Sequence, residues 1–169
     1  MSREIKSVAV IGGGTMGTGI AGLCAQRGHK VLLLDVSEEA VEKARERILN
    51  GRPPAVDEPE KADNITFGTI DADLAQIANY DWICEAVIED LETKRALFEK
   101  MEPLRREGSV ISTNTSGIPL RDVTEGLPDS LRRDIAVTHF FNPVKIMRLM
   151  ELVPGEDTTP DVIDALADF

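Results

Sequence analysis

The sequence predicts an α/β fold with a doubly wound, mainly parallel sheet and helices on both of its faces. Three observations support this. Short apolar segments alternate with amphipathic helical segments, most apolar segments lack a polar face, and the first runs into a cluster of glycines that opens a helix. Strands that are apolar on both faces are typical of parallel sheets covered by helices. The length of 169 residues suits one domain of ordinary size.

Each predicted strand is a short apolar run that ends in glycine or in polar residues. The third is the weakest of them, because it is short and contains two threonines and a glycine. In chain order, the predicted strands are Ile5–Ile11, Lys30–Asp35, Ile65–Thr69, Asp81–Val87, Ser109–Thr113, Ile135–His139 and Leu149–Val153.

The predicted helices place apolar residues three or four positions apart. Ser37 is the predicted N-cap of the second helix, and the proline-rich segment Gly51–Asp63 is predicted to be an exposed loop. In chain order, the predicted helices are Thr15–Arg27, Ser37–Asn50, Leu74–Ala78, Leu91–Leu104 and Leu120–Thr124.

The last residues predict a further helix. Thr159 and Pro160 are suited to an N-cap and a first helical position, and an apolar stripe follows without a stop signal. We therefore expect one domain over residues 1–158, with residues 159–169 beginning a truncated helical C-terminal domain. A short C-terminal helix that docks on the sheet is the alternative.

Composition excludes several classes of partner. Lys and Arg number 19 and Asp and Glu number 30, a net charge of −11 that argues against nucleic-acid binding. The longest apolar runs are too short for a membrane span, and we identify no signal peptide. The sequence thus predicts no membrane partner and, by elimination, a cytoplasmic protein. Cys24 and Cys84 lie in apolar segments and are expected to be buried thiols.

The glycine cluster has the spacing G-x-G-x-x-G, directly after a strand and at the start of a helix. This context predicts a Rossmann-like site in which backbone N–H groups and the helix N-terminus bind a pyrophosphate. Gly12 would allow the tight turn, Gly14 the approach of phosphate, and Gly17 close packing of helix on strand. Asp35 ends the next strand, where a carboxylate favours NAD over NADP. A glycine turn that serves packing alone is the alternative.

Polar residues follow several strands at their carboxyl ends, where ligands bind in open α/β sheets. These are Asp35, Glu85, Glu89, Asn114, Ser116 and His139. Glu151 interrupts the last apolar strand, and burial of a carboxylate there is costly without a partner. A nearby imidazole would be such a partner and would gain the function of a base. The alternative is that His139 is a hydrogen-bonded core side chain.

Four motifs together resemble the N-terminal domain of 3-hydroxyacyl-CoA dehydrogenase, from about Lys6 to the end of the chain. The stretch HFFNPV followed by Glu151 is the most specific part, whereas the glycine motif alone is not specific. The motifs are GGGTMGTGIA from Gly12, EAVIEDL from Glu85 with Lys94, NTS from Asn114, and HFFNPV from His139 with Glu151.

The resemblance implies NAD-dependent oxidation of (S)-3-hydroxyacyl-CoA to 3-oxoacyl-CoA, as in fatty-acid β-oxidation. His139 would be the general base, Glu151 would hold and polarise it, Ser116 would bind the substrate oxygen, and Asn142 would help to place substrate and nicotinamide. The expected cofactor-binding residues are Gly12, Gly14, Thr15, Met16, Gly17, Asp35, Glu89, Lys94, Asn114, Ser116 and Asn142. No metal site is predicted.

In the family, a second, helical domain carries another catalytic asparagine and most of the dimer interface. The resemblance thus implies a full-length homodimer and little activity in the isolated domain; whether an enoyl-CoA hydratase domain is also present stays open. Segment Asn50–Asp63 is short where relatives carry a helical arm that touches CoA. Arg45, Arg47 and Arg52 lie near it, and we expect them on a solvated helix face. The net negative charge would repel polyanionic CoA at long range.

Two other functions remain. A β-hydroxyacid-type dehydrogenase shares this style of glycine loop but uses a lysine base. A non-catalytic NAD-binding module would have kept the fold without the chemistry. The presence of His139, Glu151 and Ser116 argues against both.

Overall fold

The computed structural model describes residues 3–169, in which seven strands form one sheet of order β3-β2-β1-β4-β5-β6-β7. Strands β1 to β6 are parallel, and β7 is antiparallel to β6. The order 3-2-1-4-5-6 is that of a doubly wound dinucleotide-binding sheet, which confirms the predicted fold class. The strands are β1 (Ser7–Ile11), β2 (Lys30–Asp35), β3 (Ile65–Thr69), β4 (Trp82–Glu85), β5 (Val110–Thr113), β6 (Ile135–Phe140) and β7 (Met150–Pro154).

The helices connect these strands over both faces. Ser37 caps the second helix as predicted, because its hydroxyl accepts a hydrogen bond from the N–H of Ala40. The helices are α1 (Thr15–Gln26), α2 (Glu38–Asn50), α3 (Ile70–Asp73), α4 (Leu91–Met101), α5 (Leu120–Val123), α6 (Asp129–Asp134) and α7 (Pro160–Asp168), with 3₁₀ turns over Pro59–Asn64 and Leu74–Asn79. Helices α3 and α6 were not predicted from the sequence, and α4 ends three residues before its predicted end.

Alternate residues of each central strand point into two separate hydrophobic cores. Val8 and Val10 of β1 pack with α1, α2 and α7, whereas Ala9 and Ile11 pack with α4, α5 and α6. All four side chains are fully buried. A strand buried on both faces has no room for a polar face, so the central strands are apolar throughout.

The segment Gly51–Asp63 is exposed or half-buried at every residue except one, so the exposed loop that its prolines predicted is correct for most of it. Val56 is buried in the core beneath α1. A Cβ atom at Gly22 of α1 would overlap the Cβ of Ala55. The segment therefore packs tightly on α1, because a glycine in that helix leaves room for it.

Helix α7 packs on the same core as α1. Val162, Ala165 and Leu166 of its apolar stripe are buried. Thr159 and Pro160 occupy the predicted positions, although the Thr159 hydroxyl donates to the carbonyl of Arg133 instead of capping the helix. The domain boundary between residues 158 and 159 stays a prediction.

Both cysteines are buried thiols, as predicted. Burial raises the pKa of Cys84 to about 12, and burial likewise raises the pKa of Cys24 well above its ordinary value. Neither thiol ionises at neutral pH. Among residues 3–169, every helix is too short or too polar to cross a membrane.

Charged side chains form a network at the amino-terminal edge of the sheet, opposite the predicted site. Arg105 is nearly buried and pairs with Asp134 at 2.8 Å and Glu102 at 2.5 Å. Arg3 also binds Asp134 at 2.7 Å and Asp161 of α7 at 2.7 Å. The network links the start of the chain to α4, α6 and α7.

We expect Arg105→Met to lower the free energy of unfolding by about 3 kcal/mol, because the partly buried Glu102 loses its counter-ion and Asp134 keeps only Arg3. Arg106→Met is the matched control. Arg106 is half-exposed in its pair with Asp81, and its loss should cost less than about 1 kcal/mol. Urea unfolding measures both changes, and equal losses would contradict the assigned role of the network.

Candidate active site

Two glycines of the motif, Gly12 in the turn between β1 and α1 and Gly17 in the first turn of α1, leave no room for a side chain. Gly12 has φ +111°, and a Cβ there would lie 2.5 Å from the carbonyl oxygen of Ala86 in the loop after β4. A Cβ at Gly17 would overlap the carbonyl oxygen of Gly12. The turn thus brings α1 and the β4 loop into backbone contact, which explains two of the three glycines of the motif.

The third glycine, Gly14, borders open space. Within the described part of the chain, a Cβ at Gly14 would have no neighbouring heavy atom within 4 Å. Gly14 is the N-cap of α1, and this helix start has neither a side-chain cap nor an acidic first turn. The first N–H groups of α1 therefore face outward beside exposed Thr15, with the positive end of the helix dipole behind them. This cradle fits the pyrophosphate of a dinucleotide.

Asp35 lies beside the glycine turn. Its carboxylate accepts hydrogen bonds from the backbone N–H of Gly13 at 2.9 Å and of Val36 at 2.7 Å. Each carboxylate oxygen has a further lone-pair direction. Asp35 can therefore bind a diol while it holds the loop in place.

The three arginines are exposed, as expected, and Arg45 and Arg47 lie on the solvated face of α2. Arg47 donates to the carbonyl oxygen of Gly13 at 3.0 Å, and Arg45 stacks over the ring of Phe67 with its guanidinium 4.2 Å from the ring centroid. Arg52 is exposed, as expected. Arg45 and Arg47 each also have a partner from another element, although both stay exposed.

His139 and Glu151 face each other across the antiparallel pair β6–β7. They are register partners, and Nδ1 of His139 lies 3.4 Å from Oε2 of Glu151. The ring of Phe141 lies 4.6 Å from the imidazole, centroid to centroid. The Glu151 side chain is 56% exposed, so the expectation of a buried carboxylate was wrong. The pair forms because His139 and Glu151 are opposite each other in the strand register. Glu151 is exposed because β7 is an edge strand of the sheet.

A cavity of about 360 Å³ lies between the glycine turn and His139. It brings together most of the predicted site residues, whereas Glu151 contacts it only through His139. Gly12, Gly14, Gly17, Thr15 and Asp35 belong to the neighbouring turn. The cavity is lined by Met16, Ala86, Val87, Glu89, Lys94, Asn114, Ser116, His139, Phe140, Phe141 and Asn142.

Glu89 is held at the cavity by the segment after β5. The Thr115 hydroxyl donates to its Oε1 at 2.5 Å, and the N–H and hydroxyl of Ser116 donate to its Oε2 at 3.0 and 3.2 Å. Burial raises the pKa of Glu89, but these hydrogen bonds and the Lys94 ammonium outweigh it and hold the pKa below its ordinary value. Glu89 is therefore ionised at neutral pH.

Glu85 and Lys94 form a buried ion pair that the sequence analysis missed. Glu85 is 0% and Lys94 1% exposed, and Lys94 Nζ lies 2.6 Å from Glu85 Oε1. Glu85 also accepts from the N–H of Val87 and the hydroxyl of Thr113. The signal was present, because Lys94 lies on the apolar stripe of α4 with Leu97, Phe98 and Met101, where a lysine needs a buried partner.

Two asparagines lie at the same edge of the sheet. Asn114 accepts a hydrogen bond from the N–H of Phe140 at 2.9 Å, which ties the end of β5 to the end of β6. Asn142 is exposed and precedes Pro143 in a cis peptide bond. It separates the first cavity from a second one of about 370 Å³, which is lined by Thr15, Arg47, Arg52 and Lys145 among others.

A larger cavity lies away from the predicted site. It measures about 520 Å³ and lies against β7, around Leu120, Arg132 and Val153. None of the predicted site residues lines it. We place the candidate site in the smaller cavity, because polar groups from several strand ends converge there.

We expect Gly17→Ala to destabilise the protein by about 2 kcal/mol, because its methyl group requires the β1–α1 turn to move. Gly14→Ala is the control, since its methyl group meets open space, and its effect should stay within about 0.5 kcal/mol. Thermal unfolding reports both changes. Similar melting temperatures for the two variants would contradict the close contact assigned to Gly17.

Residues 7–169 match the family model described as "3-hydroxyacyl-CoA dehydrogenase, NAD binding domain". A trifunctional enzyme of the fatty acid oxidation complex from Rickettsia felis is 39% identical over all of this chain and 24% of its own length. A 3-hydroxyacyl-CoA dehydrogenase from Deinococcus radiodurans is 38% identical over 98% of this chain and 50% of its own.

A crystal structure of 3-hydroxybutyryl-CoA dehydrogenase from Escherichia coli K12 superimposes on this chain with a TM-score of 0.86. It is 34% identical, over 98% of this chain and 36% of the other. The chain thus spans between about a quarter and a half of the length of these relatives. The family match covers the glycine turn, the cavity and the His139–Glu151 pair. The chain belongs to the 3-hydroxyacyl-CoA dehydrogenase family and is its NAD-binding domain.

Proposed function

We propose that this chain is the cofactor-binding and base-carrying part of an enzyme that oxidises (S)-3-hydroxyacyl-CoA to 3-oxoacyl-CoA with NAD, as in fatty-acid β-oxidation. The observation that carries the proposal is the cross-strand pair of His139 and Glu151, beside a cavity that opens next to the glycine turn. A positioned imidazole and a dinucleotide cradle are the two parts that oxidation of an alcohol requires. The names of the relatives supply the substrate class.

The cofactor would lie along the carboxyl edge of the sheet. The N–H groups at Gly14, Thr15 and Met16 would bind the pyrophosphate, and Asp35 would bind the ribose hydroxyls of the adenosine. Because a 2′-phosphate would meet the Asp35 carboxylate, NAD would bind in preference to NADP. Gly12 and Gly17 shape the turn without contact through a side chain.

The nicotinamide end would occupy the cavity. Met16 lies at the start of α1, Glu89 and Lys94 come from the β4 side, and Asn114, Ser116 and Asn142 come from the β5 and β6 ends. The ionised Glu89 would accept hydrogen bonds from a ribose, and its own donors Thr115 and Ser116 hold it in place. The predicted cofactor-binding set thus divides between the glycine turn and this cavity.

His139 would take the proton of the substrate 3-hydroxyl. Its Nδ1 faces Glu151, and this contact would fix the ring tautomer with the proton on Nδ1. Nε2 is then the atom that accepts the substrate proton. The Glu151 carboxylate would stabilise the imidazolium that forms. NAD, when bound, supplies the acceptor for the hydride that leaves C3 of the acyl chain.

Ser116 and Asn142 would orient the substrate. Both side chains are exposed at the cavity, and the Ser116 hydroxyl, which donates to Glu89, can also accept a hydrogen bond or turn towards a substrate oxygen. The CoA end would leave past Asn142 into the second cavity, where Arg47 and Arg52 offer positive charge.

Four further features remain proposals: a homodimer formed through a second, helical domain, the boundary near residue 158, a cytoplasmic location, and little turnover by this chain alone. The greater length of the relatives supports the second domain. A lysine-based dehydrogenase is less favoured, because the lysine of the cavity, Lys94, is paired with Glu85.

We expect Asp35→Asn to lower the NAD affinity about tenfold, because it removes the charge that accepts hydrogen bonds from the ribose. The NADP affinity should rise, since the repulsion of the 2′-phosphate is lost. Calorimetry with both nucleotides measures the change, and Glu38→Gln, an exposed carboxylate at the start of α2, is the control. An unchanged ratio of NAD to NADP affinity would contradict the role of Asp35.

We expect His139→Gln to lower kcat by about 10²- to 10⁴-fold, the usual contribution of a positioned base, with the NAD affinity retained. Glu151→Gln should give a smaller loss, because the base stays but loses its partner. The assay is oxidation of 3-hydroxybutyryl-CoA by the full-length protein, and His29→Gln is the control. Full activity of His139→Gln would favour the lysine-based alternative.

A further inference from the structure

The buried pair of Glu85 and Lys94 carries an inference that rests on the proposed function. Lys94 lines the cavity, yet its ammonium is turned towards β4. Its nearest acceptor is Glu85 Oε1 at 2.6 Å, followed by the carbonyl oxygen of Val87 at 3.5 Å and Glu89 Oε1 at 3.9 Å. The ammonium therefore lies between two carboxylates, one buried and one at the cavity.

Glu85 itself does not reach the cavity. It is 0% exposed, and its carboxylate is occupied by Lys94, the N–H of Val87 and the hydroxyl of Thr113. A carboxylate buried in this way costs free energy unless it is paired and hydrogen-bonded. Burial of this ion pair contributes less to the free energy of folding than burial of two apolar side chains would. Stability alone therefore does not explain why Glu85 and Lys94 are present.

The formal charges suggest what the pair does. Glu85 and Glu89 contribute one negative charge each and Lys94 one positive charge, which leaves the cluster with a net charge of −1. The nicotinamide ring is cationic in NAD and neutral in the reduced form. A cavity with one net negative charge attracts the oxidised ring selectively.

We propose that Glu85 is a positioning residue that compensates the charge of Lys94, so that the cavity prefers the cationic oxidised nicotinamide to the reduced ring. Without Glu85, Lys94 and Glu89 would cancel, and the preference would be lost. Glu89, 3.9 Å from Nζ, would then be the remaining carboxylate beside the ammonium. Glu85 thereby sets the relative affinity for the two redox forms, although it lies behind the residues that touch them.

The test compares the dissociation constants of oxidised and reduced cofactor by calorimetry at pH 7. We expect Glu85→Gln to shift their ratio towards the reduced form, on the order of tenfold. Lys94→Met should shift the ratio in the opposite direction. The double variant, which again leaves a net charge of −1, should restore it.

The control is Thr113→Val, which removes a neutral donor to Glu85 and changes no charge. A purely structural pair would weaken the binding of both forms equally, and an unchanged ratio in the two single variants would overturn the inference. If Glu85→Gln does not fold, the shift in Lys94→Met decides the matter alone. Failure of the unaltered protein to bind either form would instead overturn the proposed function.

Discussion

The close approach of two backbone turns determines the rest of this structure. Strands β1 and β4 are parallel neighbours, and their connections leave the sheet in opposite directions, which opens a crevice between the two following loops. Gly12 makes this possible, because any Cβ there would meet the carbonyl of Ala86. The contact fixes the start of α1 beside Ala86 and Val87, two residues before Glu89. The phosphate cradle and the polar end of the cavity therefore share one rigid junction.

Strand register provides the second constraint. His139 and Glu151 meet because they are paired across β6 and β7, and a slip by one residue would turn Glu151 to the other face. A buried chain of polar groups ties β6 to β5 and β4, since Thr138 donates to the Ser112 hydroxyl at 2.7 Å and Trp82 Nε1 donates to the same oxygen at 2.8 Å. Every member is satisfied, so the network specifies strand positions instead of weakening the core.

Local patterns in the sequence predicted the fold and part of the candidate site, because apolar periodicity and the glycine spacing report directly on strands, helices and turns. Three residues of the candidate site came from the family resemblance instead, namely Met16, Lys94 and Asn142. What they missed depends on contacts between distant elements. The exposure of Glu151 follows from β7 being an edge strand, which an apolar run does not reveal. Helix α6 is short and its charged residues pair with other elements, as Asp134 does with Arg3 and Arg105. The burial of Lys94 could have been predicted, because the lysine interrupts an apolar helical stripe.

The distribution of charge resolves an apparent conflict between a protein of net charge −11 and the anionic substrate proposed for it. At physiological ionic strength, charges more than about 8 Å apart are largely screened, so most carboxylates on the surface do not act on a bound ligand. The charges that line the two cavities are close enough to act on a bound ligand. Their sign differs between the cavities. Arg47 and Arg52 line the second cavity, whereas Glu89 and Lys94 line the first and Glu85 lies behind Lys94. The anionic CoA end of the proposed substrate would face the arginines of the second cavity. The cationic nicotinamide ring would face the negative charge at the first cavity.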